Sequence, residues 1–119
     1  MDVNEYQKSA MTTLNPTLDR KDVLINSVMG LCGESGEAID IVKKWLMQGH
    51  ELDKEHLIKE LGDVAWYLAE AATALDVPLE TVFQENLVHY KPLDIYNLHY
   101  LQTIRKSRHW NMKPVNDQW

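Results

Sequence analysis

From Asp22 to Gln48, and again from Asp53 to about Leu75, apolar residues return every three or four positions. That period belongs to an α-helix with one buried face, so the centre of the chain is predicted to be two long helices. The first stripe is Leu24, Val28, Leu31, Cys32, Ile39, Val42 and Leu46. The second is Leu57, Leu61, Val64, Ala65, Leu68, Ala72 and Leu75. Gly49 stops the first helix just after Lys43 and Lys44, cations suited to the negative end of the helix dipole. Asp53 is the expected N-cap of the second.

The flanks read the same way. Residues 4–14 form a short helix, ended near Asn15-Pro16 because proline disfavours a helical residue before it. Pro78 suits the first turn of a helix running to about Val88, and Pro92 ends that element. Asp94 caps a final amphipathic helix carrying Ile95, Leu98, Leu101 and Ile104. No segment alternates like a strand, and 119 residues suit one domain. The expected fold is an all-α bundle.

A formal net charge of −6 sets diffuse repulsion against DNA and anionic membranes, so neither is an expected partner. Cys32 is the single cysteine, which leaves no intrachain disulfide, and it is expected as a small buried hydrophobe. The first residues lack the basic and apolar runs of a signal peptide, and no stretch is long and apolar enough to span a bilayer. The expected location is the cytoplasm.

Chemistry concentrates in the helix pair. Glu34 and Glu37 lie three apart, on one helix face, and Glu60 and Asp63 repeat the spacing on the next helix. Antiparallel packing would bring the four carboxylates together. Like charges at that range raise one another's pKa and oppose folding unless cations sit among them. An all-oxygen ligand set suits Mg²⁺, Mn²⁺ or Ca²⁺. Gly30, Gly33, Gly36 and Gly62 lie inside these helices, where each costs roughly 0.5–1 kcal/mol relative to alanine. Close approach of backbone or ligand would explain them. One such acidic pair is usually a solvated helix face, but two glycine-flanked pairs on consecutive helices argue against that. A di-iron bundle would need Glu-x-x-His pairs, and no glutamate here has histidine three residues on.

Glu34-x-x-Glu37, twenty-two further residues, then Glu60-x-x-Asp63 resembles the signature of the MazG-type all-α nucleoside triphosphate pyrophosphatases. Lys43-Lys44, Gln48-Gly49-His50 and the run from Glu60 to Leu68 are matching context. The resemblance covers about residues 24–88 and is strongest to short single-domain members and the dCTP-pyrophosphatase-like branch. It implies hydrolysis of a (deoxy)nucleoside triphosphate to monophosphate and pyrophosphate. Mg²⁺, or Mn²⁺, would be held by Glu34, Glu37, Glu60 and Asp63, with Glu37 the favoured general base. It also implies a substrate contact at Tyr67, an aromatic near the base at Trp45, and a phosphate-segment asparagine at Asn86. Lys44, with Lys43, is in reach of phosphates.

From about residue 89 the pattern departs. His89 stands where the family's segment carries lysine, and Lys91-Pro92-Leu93-Asp94 replaces the rest. Arg105, Lys106 and Arg108 are candidate substitute cations. Two rivals follow: a non-catalytic helical interaction protein that has lost its phosphate grip, and a related phosphoribosyl-ATP or dUTP pyrophosphohydrolase. Apolar surface on a second side of the hairpin (Trp66, Val42, Met47) predicts a homodimer or homotetramer, as the resemblance also implies.

Overall fold

The computed structural model describes residues 1–90, which are helical and contain no strand. The final helix expected after Asp94 lies outside the described residues, as do Arg105, Lys106 and Arg108. The chain divides into two compact units, Met1–Asn86 and Leu87–Trp119, and the account below concerns the first.

Helix α1 spans Val3–Ala10 and tightens into a 3₁₀ turn over Met11–Thr13, close to the expected 4–14. A capping box that the sequence reading passed over starts it. The Glu5 N–H donates to Asp2 Oδ1 and the Asp2 N–H to Glu5 Oε2, both at 2.8 Å. Helix α2 spans Arg20–Gln48, opening two residues before the expected start at Asp22 because Asp19 caps it, accepting from the Asp22 N–H at 2.9 Å. Gly49 closes it in the left-handed region at φ 71°. Helix α3 spans Lys54–Ala74, capped by Asp53 through the His56 N–H at 3.0 Å. Asp76 takes a left-handed φ of 59°, and the N–H groups of Asp76 and Val77 bond back to the Thr73 and Ala72 carbonyls. This is a Schellman closure, and helix α4 then spans Leu79–Tyr90.

Helices α2 and α3 form the expected hairpin, but its seam is not the predicted stripe. On α2 the buried residues are Val23, Ser27 and Ile41. Val28, Cys32, Ile39 and Leu46, expected inside, are exposed, as are Leu61 and Leu75 on α3. At 100° per residue, Val23, Ser27, Gly30, Glu34 and Ile41 share one face of α2; Ile25, Val28, Met29, Cys32, Ile39 and Leu46 share the opposite one. The reason is steric. Small residues let the two backbones approach, and a Cβ built on Gly30 would overlap the Tyr67 ring. The same test at Gly33, Gly36 and Gly62 meets nothing, so close packing accounts for Gly30 alone.

The back of α3 is covered by α1. Ala69, Ala72 and Leu79 form the buried centre there, with Val3, Tyr6, Ala10, Met11, Leu68, Val77 and Val82 against them. Gln7 stitches this layer together: its amide donates to Thr73 Oγ1 and the Val77 carbonyl, and its oxygen accepts from the Leu79 N–H. Trp66, expected at an intersubunit surface, instead donates from Nε1 to the Ala10 carbonyl and Thr13 Oγ1. Its indole thereby satisfies a carbonyl at the end of α1.

Opposite signs are expected at two glycines of α2. Gly30→Ala should destabilise the protein by about 1–3 kcal/mol, because the Tyr67 ring must leave its place. Gly33→Ala, facing open space, should stabilise by up to about 1 kcal/mol through helix propensity alone. Urea denaturation of both variants checks the contrast; equal signs would contradict the seam.

Candidate metal centre

The hairpin register places Glu34 of α2 against Glu60 and Asp63 of α3, with one carboxylate oxygen from each within 4.8 Å of the others. Glu60 is 7% exposed, Glu34 is half-buried and Asp63 faces solvent. Desolvation first, then the Asp63 charge, a hydrogen bond with Glu60 and the charges of Glu60 and Glu37 raise the Glu34 pKa. Burial and this crowding of negative charge disfavour the charged carboxylate, a penalty a bound cation would relieve. The spacing suits one. Ligand oxygens at about 2.1 Å (Mg²⁺) to 2.4 Å (Ca²⁺) put opposite ligands about 4.2–4.8 Å apart.

Glu37, the fourth expected ligand, stands outside this cluster. It is exposed on α2, and its charge acts on Glu34 and on Lys44. Lys43 and Lys44 are not free in this structure, since both close on Asp40, at 2.9 and 2.6 Å. These hydrogen bonds hold the Asp40 carboxyl down at about 2 and raise the Lys44 pKa. Trp45 is exposed one residue on, and Asn86 is exposed on α4. Tyr67 lies against Gly30 in the seam, and its ring meets the edge of Trp66 with centroids 5.1 Å apart.

Three participants escaped the sequence reading. His56 Nε2 donates to Glu60 Oε1 at 2.8 Å, an i,i+4 pair whose signal is the spacing itself. Glu70 is wholly buried and accepts from the Asn26 amide on both oxygens, at 3.0 and 3.1 Å. It continues the stripe Glu60, Asp63, Tyr67, which was the available signal. Tyr6 of α1 is close enough that the Asp63 charge adds to burial in raising its pKa. Nothing local in the sequence points from residue 6 to residue 63.

Residues 25–91 match the MazG nucleotide pyrophosphohydrolase domain. This chain belongs to that family. A relative, the gene 37 protein of Mycobacterium phage L5, is 41% identical over 95 residues, covering 73% of this chain and 83% of its own. No solved structure matches. Membership indicates nucleotide pyrophosphohydrolase chemistry, and MazG enzymes typically depend on a divalent metal, in keeping with the three-carboxylate cluster. No described helix is long and apolar enough to cross a membrane.

The Glu34 shift has a signed consequence for the metal-free protein. Its folded pKa lies above the unfolded value, so the native state binds more protons and stability falls as pH rises through the folded pKa. In EDTA, lowering the pH from 7 into the carboxylate range should therefore add to stability through this group. Glu34→Gln should melt higher than the wild type at pH 7 and lose that part of the pH response. Thermal denaturation in matched buffers tests it; a variant that melts lower at pH 7 would remove the crowding argument.

Proposed function

We propose that this MazG protein hydrolyses a (deoxy)nucleoside triphosphate to the monophosphate and pyrophosphate with Mg²⁺, Mn²⁺ serving in its place. The observation that carries the reading is the convergence of Glu34, Glu60 and Asp63 from two helices onto one point. A divalent cation there supplies charge neutralisation for phosphate oxygens and lowers the pKa of water. The protein's own residues do the rest. Glu34, Glu60 and Asp63 hold the cation. Glu37, outside their cluster and exposed, accepts the proton of the water that attacks the α-phosphorus, while the α–β bridging oxygen leaves with pyrophosphate.

Substrate contacts fall to Tyr67, Asn86, Lys44 and Trp45. Lys44 exchanges Asp40 for phosphate oxygens, an exchange between solvent-exposed partners that water screens and that therefore costs little. The acidic surface repels nucleic acid, so the substrate in this reading is a free nucleotide, whose phosphate charge a cation held by Glu34, Glu60 and Asp63 would offset.

The exposed apolar face of α2 supports assembly into a homodimer or homotetramer. Met29, Ile39, Leu46 and Met47 there are all more than 60% exposed, and α1 covers α3 instead. A second copy laid on this face completes the bundle.

Two measurements test these proposals. Pyrophosphate release should require Mg²⁺ or Mn²⁺, and Asp63→Asn should lower it by 10²-fold or more, in line with the loss of an electrostatic stabiliser. Glu80→Gln, at an acid outside the motif, should leave the rate unchanged. Metal-independent turnover, or full activity in Asp63→Asn, would overturn the assignment. Sedimentation at micromolar concentration should give a dimer or larger, and a monomer would refute the assembly.

A further inference from the structure

We propose that His56 is a positioning residue for Glu60, aiming its carboxylate at the cation. The inference rests on the reading of Glu60 as a metal ligand. Asp53 caps α3 through the His56 N–H at 3.0 Å, which fixes the first turn. From that turn His56 reaches one turn forward, and its Nε2–H donates to Glu60 Oε1 at 2.8 Å. Its Nδ1 lies 3.9 Å from Asp53 Oδ2, so the ring stands between two carboxylates, one structural and one facing the site.

Glu60 needs such a brace. Its side chain has three rotatable bonds, and its neighbours in the cluster, Glu34 and Asp63, are themselves acids that supply no cation to hold it. A carboxylate offers about four acceptor positions, so the bond to His56 takes one and leaves the others for metal. With the carboxylate already oriented, metal binding loses less side-chain entropy. Gly62 and the exposed Leu61 beside it offer no polar group for this task, and Lys43 and Lys44 are turned to Asp40. His56 itself is half-exposed, so its imidazole does little packing.

Calorimetric titration of the full chain with Mn²⁺ tests the inference. His56→Ala should weaken Mn²⁺ binding by about tenfold, the usual lower bound for losing an outer-shell hydrogen bond. His56→Gln should restore it, because the glutamine amide nitrogen reaches about as far from Cβ as Nε2 does. Wild-type affinity in His56→Ala, alongside weakened binding in Glu60→Gln, would overturn the positioning role and leave the metal site standing. Equal loss in the alanine and glutamine variants would also overturn it, since the hydrogen bond would then not be the cause. Wild-type affinity in Glu60→Gln would remove the metal reading itself, and the role of His56 with it.

Discussion

The contact of the Tyr67 ring with the bare backbone of Gly30 is the constraint on which the rest of the structure turns. It sets how closely α2 approaches α3 and in which antiparallel register. One turn along from it, Asn26 meets Glu70 in one direction and Glu34 meets Glu60 and Asp63 in the other. A larger side chain at residue 30 would separate the helices and carry the carboxylates apart. The acidic site is thus a product of packing chemistry a helical turn away from it.

This seam is unusual in what it buries. Ser27, Glu60 and Glu70 are all nearly inaccessible, while Met29, Leu46 and Met47 are not. Each buried polar group has an answering partner: Ser27 Oγ bonds the Leu24 carbonyl, Asn26 serves Glu70, and His56 serves Glu60. Glu34 hydrogen-bonds with Glu60, and burial together with the charges around it raises its pKa. Burying carboxylates costs the folded state, so the stability that tolerates them must come from elsewhere.

That elsewhere is the other side of α3. Helix α1 lays Val3, Tyr6, Ala10 and Met11 on the alanine-rich back of α3, and Gln7 binds the α3–α4 corner through three hydrogen bonds. Trp66 anchors the end of α1. The first helix therefore holds the hairpin from the α3 side, and Tyr6 brings it within the electrostatic reach of Asp63.

The sequence by itself determined the helices and the acidic pairs. Their period, the Asp53 cap, the Gly49 stop and the proline breaks are local, and local backbone physics reads them directly. The MazG signature was equally legible, because spacing along a helix fixes which side chains share a face. Only the tertiary structure decided which face is inside. Hydrophobicity pointed to Val28, Cys32, Ile39 and Leu46, and the protein chose Ser27, Gly30 and Glu34. Close approach selects small side chains, and a scale of apolarity cannot register the absence of a side chain as a reason for burial. The same holds for His56, Asn26 and Tyr6, whose partners are defined by contact across or along the packed helices. Glu37 was legible as a member of the motif, yet its place outside the tight cluster followed only from where α3 lies against α2.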